Sequence, residues 1–189
     1  AASSERAPPQ LPGFDDAVSV SGTHAGLRCV LRSSGRVSCW GNNSIGQVGD
    51  GTTVFRDSPT EIADLRDVVA IDADEVEACA IVRGGSLYCW GGAGIYDAAH
   101  LQLATRPRKI PIEDVVDVSV SGHTCALRRS GTVVCWGSDV YGQMGLGRRS
   151  DAHALVEVAG VRDAVRVETG RFHTVAVTRD GHLYAWGYE

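Results

Sequence analysis

Along the chain, apolar and polar positions alternate in short stretches of four to six residues, and helical periodicity is hard to find anywhere. Runs such as "DVVAI", "DVVDVSV" and "DAVRVE" are rich in β-branched residues, and alternation of this kind predicts short strands. The clearest signal is "CVLRSSGRVSCWG", from Cys29 to Gly41. It returns as "CAIVRGGSLYCWG" from Cys79, "CALRRSGTVVCWG" from Cys125 and "VAVTRDGHLYAWG" from Val175. Each version reads as two strands joined by a tight turn. The turn fits a three-residue connection, a type I turn followed by glycine in the left-handed region, and Gly35, Gly85, Gly131 and Gly181 occupy that place.

Such a turn makes Arg32 face Arg36, and counting outward sets Cys29 opposite Cys39. Paired positions alternate between hydrogen-bonded and closely spaced non-hydrogen-bonded types, and the count lands the cysteines on the closer type. A disulfide fits there most readily, so the expected bonds are Cys29–Cys39, Cys79–Cys89 and Cys125–Cys135. A zinc or redox site would want a C-x-x-C spacing, and none occurs. A Cys125–His123 nucleophilic pair is outweighed, because the fourth hairpin has Val175 and Ala185 at its cysteine positions. A place that takes either a disulfide or Val and Ala is a packing place.

The hairpins belong to a longer repeat. Trp40, Trp90, Trp136 and Trp186 are spaced 50, 46 and 50 residues apart. A proline-led stretch, a β-branched run, the hairpin and a glycine-rich loop follow one another around each. This gives four units, 8–57, 58–105, 106–151 and 152–189, each read as four short strands. Units of this length and content predict an all-β propeller of four-stranded antiparallel blades. The tryptophans are expected to fill space between blades. Residues 1–7 read as a flexible tail: the chain opens at Ala1, its only methionine is Met144, and "AASSERAPPQ" is the kind of sequence signal-peptide removal leaves.

The glycine-rich loops make the pattern specific. "WGNNSIGQVGDG", from Trp40, and "WGSDVYGQMGLG", from Trp136, resemble W-G-x-N-x-x-G-Q-L-G-x-G, the hallmark of the regulator of chromosome condensation repeat. "GRFHTVAVTRDGHLYAWG", from Gly170, is similar to that family's other signature, including His173. The resemblance runs from about Pro8 to Glu189 and looks like a disulfide-bearing, secreted version of bacterial type. It implies a propeller, usually seven-bladed, whose surfaces bind other proteins. It also implies nucleotide exchange on a small GTPase, the founding member's activity, as an alternative. The chain departs from the pattern in its second loop, "WGGAGIYDAAHLQLATRP", which lacks Gly-Gln, and at Leu27 and Glu77, which replace the histidine. Four units instead of seven predict an open arc, its end faces covered by another copy, by further blades of a longer chain or by a partner.

Composition narrows the functions. Hydrophobic content of 43% and charged content of 22% are those of a globular protein. No apolar run approaches the ~18 residues of a membrane-spanning helix. A net charge of −5 argues against nucleic acid as a partner. "RPRK" at 106–109 reads as solvated edge. Six cysteines pairing locally imply an extracellular or periplasmic location. The Gly46-Gln47 and Gly142-Gln143 loops lack the G-K-[ST] ending of a phosphate cradle, so they read as architecture. "DADEVE", from Asp72 to Glu77, lacks calcium-loop spacing, and Asp72, Asp74 and Glu75 are expected to be solvated or partner-facing. Asn42-Asn43-Ser44 matches a glycosylation acceptor but coincides with the loop motif. His123 and His173 read as hydrogen-bonded strand residues. No catalytic residue, cofactor or metal is expected. The reading is a non-enzymatic protein-binding module, secreted or surface-exposed, with a sugar-binding lectin using Tyr96 and Tyr141 as a further alternative.

Overall fold

A computed structural model of the chain describes residues 11–23, 26–92, 103–147 and 154–188. Tyr96 lies outside these. The described residues form fifteen strands and no helix. The first sheet holds β1 (Ala17–Gly22), β2 (Arg28–Arg32), β3 (Val37–Gly41) and β4 (Arg56–Glu61) in sequential antiparallel order. The second repeats this with β5 (Val68–Ala73), β6 (Glu77–Val82), β7 (Leu87–Gly91) and β8 (Ala104–Ile110). The third holds β9 (Val115–Val120), β10 (His123–Arg128), β11 (Val133–Gly137) and the short β12 (Val156–Glu157). The fourth has three strands, β13 (Ala164–Thr169), β14 (His173–Thr178) and β15 (Leu183–Gly187).

Two details differ from the sequence reading. The proline-led stretches were expected to open each unit, yet β4 and β8 pair with the hairpin before them: Cys39 faces Thr60 and Cys89 faces Arg108. They are outer strands that close a blade, and Pro59 and Pro107 sit on that edge, where a missing N–H costs no ladder bond. The blades are therefore phased one strand later than the units, and for this reason the fourth sheet shows three strands where four were expected.

The hairpins have the expected register. Cys29 opposes Cys39, Cys79 opposes Cys89 and Cys125 opposes Cys135, each pair bonded with Cα atoms 4.1 Å apart. Gly35 has φ 75°. Its position serves a second purpose that local turn chemistry does not reveal. The Gly35 carbonyl accepts the Val68 N–H of the next blade at 3.1 Å, and Gly85 and Gly131 do the same for Val115 and Ala164. A Cβ on Gly35 would stand 3.0 Å from the Asp67 Cα.

Alternation along the strands sends opposite faces of each blade to opposite neighbours. Cys125, Leu127, Val133 and Cys135 pack with Met144, Val158, Val161 and Val167 of the third-to-fourth interface. Ala126, Val134 and Trp136 pack the other way, against Ile81, Leu87 and the Cys79–Cys89 bridge. Trp90 and Trp136 are fully buried between blades, as expected from the repeat. The two end faces are open. Val20 is 73% exposed where its counterparts Ile71, Val118 and Val167 are buried; Leu183 is 68% exposed where Val37, Leu87 and Val133 are at 0%. Among the described residues the blades form an arc with one leading and one trailing face uncovered.

Candidate protein-binding rim

The inner strands pass one polar side chain each to the blade that follows. Ser21 Oγ accepts the Ala73 N–H at 2.9 Å, Asp72 Oδ2 the Val120 N–H at 2.8 Å and Ser119 Oγ the Thr169 N–H at 3.0 Å. Asp72 also accepts the Ser21 hydroxyl at 2.9 Å. Asp74 is buried, with Oδ1 on the Val76 and Glu77 N–H groups and Oδ2 on the Gly122 N–H at 2.8 Å. These two acids were expected to face solvent or a partner. They instead satisfy backbone donors of the third blade, which a buried N–H requires. Burial raises the Asp72 pKa above the ordinary carboxylate value. Glu75 is the exposed member of the acidic run.

The Gly-Gln loops are architecture in a definite sense. Gln47 is buried; its Oε1 accepts the Ile45 N–H at 3.0 Å and its backbone carbonyl accepts Trp90 Nε1 of the next blade at 3.0 Å. Gln143 repeats both, with Tyr141 N–H at 2.8 Å and Trp186 Nε1 at 2.8 Å. Each loop thus anchors the following tryptophan. Asn43 is buried and bonds the Val48 N–H and the Val54 carbonyl. The acceptor of the glycosylation triplet, Asn42, holds the Ser44 N–H.

Where the family histidine is absent, the chemistry changes. His123 is buried, with Nε2 2.6 Å from Thr174 Oγ1, and that hydroxyl donates to the Gln143 carbonyl. Burial, helped by the nearby His173, lowers its pKa to about 4. His173 itself is exposed on the open trailing face. At the equivalent place in the second blade Glu77 accepts the Thr124 hydroxyl at 2.8 Å. Burial raises its pKa to about 7, and the Asp74 charge adds to this. The second loop lacks Gly-Gln, and the Trp136 N–H lies near the Glu77 carboxylate without closing a hydrogen bond. Glu77 also stands within 4.8 Å of the sulfurs of Cys79 and Cys89, but these are joined as cystine and offer no thiolate to a metal.

One rim of the arc collects exposed chemistry. The turns β1–β2, β5–β6, β9–β10 and β13–β14 all reach it, enclosing an open cleft of about 430 Å³ lined by Glu75 and Val76 on one side and Arg171 on the other. Next to Arg171, Phe172 packs against Tyr141 with ring centroids 4.8 Å apart, and Tyr141 meets Tyr188 edge-on at 5.2 Å. The Arg171 guanidinium lies 5.3 Å over the Phe172 ring. All three aromatics are exposed, Tyr188 at 61%. Sequence reading found Tyr141 and Glu75. It missed Arg171, Phe172 and Tyr188, which converge from a turn and the last strand's end with no shared local motif.

Three disulfide-stapled four-stranded blades and a three-stranded fourth, with the first and third glycine-rich loops each anchoring the next blade's tryptophan, define a propeller of repeated units. The chain belongs to the family of the regulator of chromosome condensation (RCC1) repeat, whose models match residues 34–73, 115–143 and 164–189. It is 30% identical over 174 residues to the human E3 ubiquitin-protein ligase HERC2, covering 83% of this chain and 4% of that protein. It is 28% identical over 168 residues to the ultraviolet-B receptor UVR8 of Arabidopsis thaliana, covering 82% and 38%. In fold it is similar to yeast RCC1 (Prp20) bound to Kap60, with a TM-score of 0.78 at 21% identity over 95% of this chain and 45% of that one. Prp20p of Saccharomyces cerevisiae is also described with binding properties to Gsp1p and histones. The chain spans less than half the length of these relatives. The expectation that nucleic acid is not a partner rested on net charge alone, and a relative that binds histones gives it no support.

Proposed function

We propose that this chain is a protein-binding module acting outside the reducing cytosol, and that its partner seats on the rim formed by Glu75, Tyr141, Arg171, Phe172 and Tyr188. The observation that carries this is the exposed aromatic cluster with an arginine stacked on it. Tyrosine and arginine are enriched among the residues that dominate the energetics of protein interfaces. The binding of Kap60 and of Gsp1p and histones by yeast RCC1 supports protein recognition as the family's mode. The three disulfides support an oxidising location. Guanine-nucleotide exchange is the second reading, favoured by the likeness to a protein described with Gsp1p.

The test compares the chain with a Tyr141→Ala/Phe172→Ala variant as bait in the native extracellular fraction, with bound proteins quantified by mass spectrometry. A protein retained by the chain and depleted about tenfold or more by the variant is expected, since losing one hot spot removes at least ~1.4 kcal/mol. Equal retention would remove the rim from the account. A glycan-array signal lost in the same variant would transfer the rim to the lectin reading.

A further inference from the structure

The cleft in the rim owes its depth to one shortened turn. Pairing of Ala73 with Ala78, Val120 with Thr124 and Thr169 with Thr174 leaves residues 74–77, 121–123 and 170–173 to turn the second, third and fourth blades. The third turn is one residue shorter. Cys79, Cys125 and Val175 occupy one place in the repeat, each facing the equivalent residue of its hairpin. Counting back from them makes Glu75, Ser121 and Arg171 equivalent, and likewise Val76, Gly122 and Phe172. The repeat thus sets large side chains of the second and fourth blades on either side of two small residues of the third. A Cβ on Gly122 would stand 2.9 Å from the Arg171 carbonyl oxygen, so a larger residue there would collide and fill the floor. What this leaves open is the space of about 430 Å³.

The walls carry opposite charges that do not meet. Glu75 and Arg171 are exposed, and among the described residues neither side-chain charge has a hydrogen bond or an ion pair. Exposed charges on neighbouring elements do pair elsewhere, as Arg36 does with Glu61 at 2.6 Å and Arg106 with Asp64 at 2.7 Å. Here the third blade stands between the two. Asp74 also lines the cleft, but its oxygens already hold the N–H groups of Val76, Glu77 and Gly122. The Arg171 guanidinium is held by one face, 5.3 Å over the Phe172 ring, which leaves the donors along its edge for an acceptor. A planar fork fixed in this way matches a carboxylate, which it can bind through two parallel hydrogen bonds. Beyond it, Phe172 and Tyr141 offer packed aromatic surface. Opposite, Glu75 attracts a cation and repels a second carboxylate.

We infer that the cleft takes a peptide segment of the partner, with a basic side chain on Glu75, an acidic one on Arg171 and an apolar one beyond it on Phe172 and Tyr141. The inference rests on the rim being the protein-binding face and adds the order of charges that the partner must carry. Complementary charges fix the register of such a segment, and the reversed order sets like charges against each other at both walls.

A phage-displayed library of random linear peptides supplies the probe. Peptides retained by the chain are synthesised as selected and again with their acidic and basic residues exchanged. The parent is expected to bind the selected form about tenfold or more tightly than the exchanged form, and Arg171→Glu to lose a similar factor. The Glu75→Arg/Arg171→Glu variant should prefer the exchanged form, a reversal that only a folded variant can show. Peptides that need Tyr141 and Phe172 yet bind the parent and this double variant alike would overturn the charge order and leave the rim standing. A parent that retains no peptide, or only peptides indifferent to Tyr141→Ala/Phe172→Ala, would also overturn the inference, while capture of whole proteins judges the rim separately.

Discussion

Glu77 shows how one substitution within a repeat resets local electrostatics. Where the third blade buries a neutral histidine, the second buries a carboxyl group whose pKa rises from 4.5 to about 7. The folded state therefore binds a proton that the unfolded chain has released between these values. Stability contributed by the neutral form is complete below about pH 4.5 and declines as pH rises through 7. The loss amounts to at most about 3 kcal/mol. Glu77→Gln keeps an acceptor for Thr124 and removes the charge. Its unfolding free energy, measured by denaturant at pH 5 and pH 8, is expected to lose this decline and to exceed that of the parent at pH 8. A variant with the parent's pH slope would show that Glu77 does not carry the charge cost. Legibility at this scale divides cleanly. The cysteine pairing could be read because a hairpin with cysteines ten residues apart fixes its own register. The roles of Asp72 and Asp74 could not, since their donors, Val120 and Gly122, lie 48 residues away with no local signature.

At the scale of elements, the hairpin and the glycine-rich loop were legible and the pairing of the outer strand was not. Turn chemistry is local, so glycines at fixed offsets mark it. A stretch such as "SPTEI" has a hydrogen-bonding edge but nothing that says which hairpin receives it. The hairpin glycines were read for their turn alone, yet contact with the next blade is half of their purpose. Gly131 and Gly181 separate the two reasons. Both have positive φ, 83° and 85°, but a Cβ on Gly131 would stand 2.6 Å from the Asp163 Cα, whereas one on Gly181 meets nothing within 4 Å. Gly181→Ala is expected to cost about 1 kcal/mol of backbone strain. Gly131→Ala should cost about 3 kcal/mol, because overpacking against the backbone adds to that strain. Denaturant midpoints check this. Equal costs would mean that the third and fourth blades are not packed as described.

For the whole molecule, the repeat period gave the architecture, and the count of units gave the open arc. Alternation within β10 and β11 was enough to assign both faces: Leu127 and Val133 to one neighbour, Ala126 and Val134 to the other. The binding rim was only partly foreseen, because it is assembled from turns of different blades and exists only once the arc has formed. All of this depends on each blade being a self-contained unit, the first three stapled within their own hairpins, and joined to its neighbours through side-chain packing and hydrogen bonds. Six cysteines can pair in 15 ways. Peptide mapping of the unreduced protein, with free thiols blocked before digestion, is the most direct measurement of this claim. The account predicts a single pattern, 29 with 39, 79 with 89 and 125 with 135, and no blocked thiol. A bond joining cysteines of two different blades would contradict it.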